Sequence, residues 1–455
     1  MTVPRSRWLP VVLSAIACGL PSCAPAIAQG AVTPEALKGQ VDKQMPALVT
    51  TYQQLHQHPE LSHHEEKTSA FLAGELRKAG YEVTERVGVY PDGAKAWGVV
   101  AVLKNGPGPT VMVRTDMDGL PVTEATGLEY ASHERAKNAE QQDVGVMHAC
   151  GHDMHMTVLL GVARELAANR GAWHGTALLV GQPSEETIDG AKAMLADGLY
   201  ERFPKPDYIL DEHDTNDHAT GHVALHPGPM LAGATSVSVV FHGIGGHGSR
   251  PWVGKDPVVM ASEFVVLAQT IVSRQIPAND PAVLTVGTFH AGTKLNIIPD
   301  DAALGLTMRA YSESARAKLI DGVTSTARGV ATAYGVAEAR MPEVKLLEST
   351  PPTVTDAALE ERMKVVAAKV LGADRVDEAE PVMGAEDVGA FALGGKIPLA
   401  VFWLGVADPE KLAAAKKSGE PLPTPHSAKF APVYEAALRT GVSAMTAMAV
   451  ELMGK

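Results

Sequence analysis

Five apolar runs of this chain give way to polar or glycine residues: "WGVVAVL" from Trp97, "TVMVRTDMDGLP" from Thr110, "TALLVGQPSEE" from Thr176, "DYILDEHD" from Asp207 and "IPLAVFWLG" from Ile397. Helical stretches fall between them, among them "MTVLLGVARELAANRG" from Met156 and "GAKAMLADGL" from Gly190. Strands this continuously apolar must be covered on both faces, and intervening helices supply the cover. The alternation therefore predicts an α/β fold with a largely parallel sheet between helical layers. Upstream, a helical pattern runs from Pro46 to Gly80 and is interrupted at Pro59.

The chain has 455 residues, more than one hydrophobic core usually holds, so two domains are expected. Between Ala232 and about Val344 the texture changes. "ATSVSVVFHGIGGHGSRP" reads as a strand entering a glycine-rich loop, "DPVVMASEFVVLAQTIVSRQ" as a helix, "AVLTVGTFHAG" and "DAALGLTMRAY" as strands, and "ARAKLIDGVTSTARGVATAYG" as a second helix. This β-α-β-β-α-β order is that of a ferredoxin-like domain. Because "IPLAVFWLG" and the final helix return to the first texture, the segment reads as an insertion. Residues 29–231 and 346–455 are then two parts of one catalytic domain, and 232–345 an inserted α+β domain.

The N-terminus, "MTVPRSRWLPVVLSAIACGLPSCAPAIAQG", has basic residues, an apolar run and the small-residue site Ala26-Ile27-Ala28. This is the pattern of a secretory leader over residues 1–28, which implies a periplasmic or secreted protein. The run is shorter than the roughly 20 residues of a membrane span, and lipid attachment at Cys23 is the alternative. No later apolar run reads as a span. The net charge of −13 argues against nucleic-acid partners, which need a basic footprint.

Of three cysteines, Cys18 and Cys23 lie in the leader, which leaves Cys150 alone in "MHACGHDMHM". One thiol in an exported chain forms no internal disulfide. It is an inert buried side chain, a nucleophile or a metal ligand. Its surroundings bear on the choice. Asp116 and Asp118, Glu185 and Glu186, His213, and His426 all follow strands, and ligands of an open α/β sheet bind beyond the strands' carboxyl ends. Cys150 and His152 approach a helix start for which Asp153 is the expected N-cap. Thiolate, imidazole and carboxylate together suit zinc or a neighbouring transition metal. A Cys–His nucleophilic pair leaves Glu186, His213 and His426 unexplained. His148 and His155 read as structural or supporting, and His56, His58, His63 and His64 as a solvated face without metal. In "SEE", adjacent carboxylates on a turn point apart, so one can bind metal while the other accepts a proton from water.

The blocks "LHQHPELSHHEEKTSAFLAGELRKAGYEV", "VRTDMDGLPVTE", "MHACGHDMH", "QPSEE", "GIGGHGSRP", "TVGTFHAGTKLNIIPDDAALGLTMR", "MGAEDVGAF" and "LPTPHSAKF" resemble, in order, those of the aminoacylase and carboxypeptidase-like zinc peptidases. The resemblance is to the amidohydrolase subgroup with hippurate and auxin-conjugate hydrolases, and it covers nearly the whole mature chain. It implies two divalent ions per subunit, zinc first and manganese, cobalt or nickel as alternatives, held by Cys150, His152, Glu186, His213 and His426. Glu185 would be the general base, and Asp116, Asp118 and Asp153 would support the ligands. Asp116 stands where the wider superfamily has a histidine. The inserted domain would be a lid that forms a homodimer and presents His247 to the oxyanion, with Asn296 and Arg309 holding the substrate carboxylate. The implied activity is hydrolysis of N-acyl or N-aroyl amino acids. A dipeptidase or carboxypeptidase, and a non-catalytic protein that binds acylated amino acids, are the alternatives. Two departures touch the cleft: "HDTNDHATGH" lacks the proline usual after His213, and Trp252 replaces a common histidine.

Overall fold

The computed structural model describes residues 1–2 and 33–454. The expected leader, with Cys18 and Cys23, lies outside the described residues but for its first two.

Eight strands form the main sheet, in the spatial order Glu82–Val89, Lys95–Asn105, Gly175–Gln182, Thr110–Asp116, Tyr208–Ala219, Leu399–Ala407, Val223–Leu225, Val376–Glu378. Its centre is parallel: Thr110–Asp116 pairs in parallel with Gly175–Gln182 and with Tyr208–Ala219, which pairs in parallel with Leu399–Ala407. Antiparallel neighbours close both sides. Burial alternates with residue parity. Val111, Val113, Ala177 and Leu179 enter a core with the helices Pro34–Gln57, His152–Ala168 and Tyr434–Met453, while Met112, Leu178 and Val180 enter another with Ala191, Met194 and Phe391. Both faces are covered, which accounts for the near-continuous apolar runs.

Residues 233–350 build a second sheet in the order Ala282–Ala291, Asp301–Ala310, Gly233–His242, Glu343–Thr350, antiparallel throughout. The helices Pro257–Gln275 and Glu313–Ala333 cover one face of it, with Val237, Val239, Phe241, Phe264, Ile271, Leu304, Leu306 and Leu319 in a separate core. The chain enters and leaves beside itself, through the antiparallel pair Gly228–Leu231 and Thr353–Thr355. Pro257–Gln275 is long and apolar enough to cross a bilayer by length and composition, which corrects the expectation that no later run would be. Its Met260, Phe264, Ala268 and Ile271 are buried against the sheet, so one face of it is core.

Two sequence expectations change. Tyr208–Ala219 continues well past His213, because Leu399–Ala407 pairs alongside it and sets His213 opposite Trp403. Asp153 is not an N-cap: Gly151 holds that position and the helix begins at His152.

Candidate active site

Cys150 and His152 flank a residue that must be glycine. Gly151 has φ +85°, and a Cβ there would lie 2.1 Å from Asp214 Oδ2. The turn thus combines a left-handed backbone with close approach to a buried carboxylate. It delivers both side chains to one side of the helix start. Asp153, one residue inside the helix, accepts from the Met154 amide at 3.0 Å and from His56 Nδ1 at 2.7 Å. His56 also meets Glu124 at 3.2 Å and is 1% exposed. This corrects the solvated-face reading for His56, although His58, His63 and His64 are exposed. His56 lies one helical turn from buried Tyr52, on the stripe by which Pro34–Gln57 packs inward.

Backbone carbonyls fix the tautomers of two imidazoles. His152 donates from Nδ1 to the Asp118 carbonyl at 2.8 Å, and His213 from Nδ1 to the Asp214 carbonyl at 2.9 Å. In the neutral ring each Nε2 turns its lone pair to the cleft, the arrangement of a metal-binding histidine. His152 Nε2 lies 3.6 Å from Asp116 Oδ2, 3.8 Å from Glu185 Oε2 and 3.9 Å from Glu186 Oε1. Cys150 Sγ lies 3.5 Å from His213 Nε2 and 3.3 Å from His426 Nε2, which is 3.5 Å from Glu186 Oε1. His426 reaches in from a left-handed backbone, φ +69°, tied by its amide to the Ala149 carbonyl at 2.7 Å.

Within this set His152 Nε2 and Glu186 Oε1 are buried without a hydrogen-bond partner. Burial, with Glu186 and Glu185 alongside, pushes the Cys150 thiol well above its usual range. A divalent cation would supply what both lack, a partner for the orphaned atoms and positive charge to hold a thiolate. The donors occur in overlapping triplets, Cys150–His152–His213, Cys150–Glu186–His426 and His152–Glu185–Glu186, each mutually within 4.8 Å. Thiolate, imidazole and carboxylate in that spacing fit transition metals.

The two glutamates stand on a turn held from beneath. Asp118 Oδ1 accepts from the Glu185 amide at 3.1 Å, and Oδ2 from the Glu186 amide at 3.0 Å and the Ser62 hydroxyl at 2.6 Å. Ser184, φ +54°, gives its amide to Glu65 at 2.7 Å. Such strain persists only where surroundings over-determine it. Burial, and then Glu386 and Glu186, raise the Glu185 pKa well above the carboxylate range.

Behind the donors lies a charged layer in which Asp116 and His155, expected to be supporting, meet Arg114 and Glu386, for which the sequence suggested no role. Arg114, fully buried, reaches Asp116 and Glu386 at 2.8 Å and Gln182 at 2.9 Å. His155 donates to Asp116 Oδ1 at 2.7 Å and accepts from the Asp214 amide at 3.1 Å. Burial opposes ionisation of Asp116, but His152, His155 and Arg114 together hold its pKa well below the usual range. Glu65, Arg114 and Glu386 all lie in or next to quoted motifs, yet only the fold shows them facing the site.

The cleft above holds about 610 Å³ and is lined by Cys150, Glu185, Glu186, His213 and His426 from the main sheet and by Arg309, Ser236 and Glu348 from the second. His247 and Asn296 are not among its lining residues. Both are exposed on the strand-and-loop pair Gly246–His247 and Ile297–Ile298, where His247 Nδ1 accepts from the Ser249 hydroxyl at 2.8 Å. Trp252 nearby is 77% exposed. Nine of the twelve site residues expected from sequence thus gather at the cleft or directly beneath it, Asp153 turns instead to His56, and His247 and Asn296 stand apart.

Residues 112–449 match peptidase family M20/M25/M40. The chain belongs to this family. It is 35% identical over 426 residues to thermostable carboxypeptidase 1 of Saccharolobus solfataricus, covering 92% of this chain and 99% of that one. It is 36% identical over 342 residues to the hippurate hydrolase of Campylobacter jejuni, 74% and 83% of the two chains. A dinuclear metal-binding M20 peptidase of Bacillus subtilis superimposes with a TM-score of 0.72 at 26% identity, covering 90% of this chain and 99% of that one. This M20 protein is accordingly a hydrolase of amide or peptide bonds.

Proposed function

We propose that the protein is an exported, two-metal amidohydrolase that cleaves N-acyl or N-aroyl amino acids to an acid and an amine. The observation that carries this reading is the convergence of His152 Nε2, Glu185 Oε2 and Glu186 Oε1 beside Cys150 at one end of a substrate-sized cleft. Cys150, His152, Glu186, His213 and His426 hold the ions, zinc by donor softness. When bound, the ions supply Lewis acidity toward the amide carbonyl and the attacking water.

The remaining work falls to the chain's own groups. Glu185, whose Oε2 lies 3.8 Å from His152 Nε2 at the cleft, takes the water's proton at a carboxylate oxygen and returns it to the departing nitrogen. Arg309, half-buried in the cleft wall, receives the substrate carboxylate. His247 and Asn296 act from the second copy of a homodimer, His247 as a hydrogen-bond donor to the oxyanion. Their exposure apart from the cleft of their own chain is what a trans arrangement requires.

Peptidase action on short peptides is the second reading, favoured by the nearly full-length similarity to a protein named as a carboxypeptidase. The test measures amine release from N-acetyl, N-benzoyl and N-fatty-acyl amino acids and dipeptides. It uses enzyme stripped with chelator and reloaded with Zn, Mn, Co or Ni. Metal-restored release from the acylated substrates is expected. Restored release from dipeptides alone would favour the peptidase, and silence at full metal occupancy would overturn hydrolysis in favour of a binding protein.

A further inference from the structure

The second sheet presents one face to its helices and the other to the cleft. On Asp301–Ala310 the residues Ala302, Leu304, Leu306 and Met308 are in the helix-side core, so Arg309 stands on the opposite face. On Gly233–His242 the core takes Val237, Val239 and Phe241, which leaves Ser236 facing the cleft. Arg309 pairs across from Ala234, and Glu348 across from Ser236, on strands either side of Gly233–His242. Two strand spacings and a two-residue offset put their Cα atoms roughly 12 Å apart.

The chemistry of this wall is sparse. Arg309 is the one Lys or Arg among the residues lining the cleft, and its guanidinium has no hydrogen bond or ion pair among the described residues. Glu348 is exposed, and among the described residues its carboxylate accepts only from the Ser236 hydroxyl, at 3.3 Å. The floor between them is Ala234 and Ser236, side chains too small to fill the gap. The two opposite charges share one face and do not pair with each other.

We propose that this wall selects substrates whose amine portion carries a positively charged side chain, the carboxylate bound by Arg309 and the side-chain cation by Glu348. The inference rests on the amidohydrolase reading, which places the substrate carboxylate at Arg309. In an N-acyl amino acid the α-nitrogen is tied up in the neutral amide. A cation facing Glu348 must therefore come from the end of a side chain, and the separation suits one of lysine length. The substrate class is N-acyl derivatives of basic amino acids.

The test compares Nα-acetyl-lysine with Nα-acetylnorleucine, which has the same carbon skeleton without the terminal ammonium. Dissociation constants are measured by calorimetry on metal-loaded Glu185→Gln protein, with and without Glu348→Gln, and turnover is measured on the wild type. The lysine derivative is expected to bind about tenfold more tightly than the norleucine one, as a charge-assisted contact at a half-open site allows. Glu348→Gln should abolish that ratio, and Glu348→Arg should turn the preference toward N-acetylglutamate. Equal binding of both ligands, or a ratio that survives Glu348→Gln, would overturn the inference. Hydrolysis of both at equal rates would do the same while leaving the amidohydrolase reading intact. A charge-dependent binding ratio without hydrolysis of either would sink the amidohydrolase reading and leave the selectivity of the wall standing.

Discussion

Replacing Asp118 with asparagine asks whether a single buried carboxylate aims both adjacent glutamates. In the native site its two oxygens accept separately from the Glu185 and Glu186 amides, at 3.1 and 3.0 Å. Asparagine keeps one oxygen and replaces the other with an NH2 group. Whichever way that amide is turned, one backbone N–H of the turn then faces a donor and stays buried without an acceptor, which costs about 1–3 kcal/mol. His152 keeps its closer acceptor, the backbone carbonyl of residue 118 at 2.8 Å, and loses only the charge of the carboxylate oxygen 3.4 Å from its Nδ1. Ligand geometry should therefore hold while the Glu185 turn shifts, and a displacement of about 1 Å in a catalytic group costs on the order of 100-fold in rate. The expected result is a kcat lower by about two orders of magnitude, a urea midpoint shifted down, and metal content by mass spectrometry near that of the wild type. A folded, metal-loaded variant with kcat within about threefold of wild type would refute the reasoning.

Three further outcomes are expected. Glu185→Gln should retain its metal and lose about 10²–10⁴-fold in turnover, and undiminished activity would move the base elsewhere. Gly151→Ala should lose about 2–5 kcal/mol in urea unfolding, from left-handed strain and displacement of the Asp214 carboxylate. An unchanged midpoint would show that the turn relaxes freely. His56→Gln should destabilise in a pH-dependent way. Burial alone would lower the His56 pKa, but its hydrogen bonds to Asp153 and Glu124 carry it up to about 10. A histidine that binds its proton more tightly when folded stabilises fully below its unfolded pKa of about 6.5 and loses that stabilisation as pH climbs toward 10. The gap between wild type and variant in denaturant unfolding should therefore be widest near pH 6 and narrow toward pH 10. A gap constant with pH would mean that His56 is neutral.

Much of the site was legible because its chemistry is locally written. Cys150, Gly151 and His152 are consecutive, and the Glu185–Glu186 pair directly succeeds an apolar run. His213 and His426 could be placed near them because the strands of a parallel sheet deliver the residues at their carboxyl ends to one edge. Of the layer underneath, Asp116, Asp118 and His155 were legible and their buried partners were not. Arg114 reads as an interruption in an apolar strand until Glu386, 272 residues away, is seen 2.8 Å from it. His56 reads as one of four surface histidines until Asp153 and Glu124 close on it. Asp153 looked like a cap because side-chain type alone marks caps, whereas the left-handed Gly151 decided where the helix begins.

The sequence by itself determined the elements and their order through alternating periodicities, and offered donor types matched to a metal. These arise from interactions within a few residues, which any chain with this sequence carries before it folds. Tertiary structure alone decided which buried charges are paired, how far Tyr208–Ala219 extends, and that Arg309 and Glu348 share a cleft wall from which His247 stands apart. Those outcomes depend on contacts between residues tens to hundreds of positions apart, and their energies exist only once each sheet has packed against its own helices and water has been excluded from the cores.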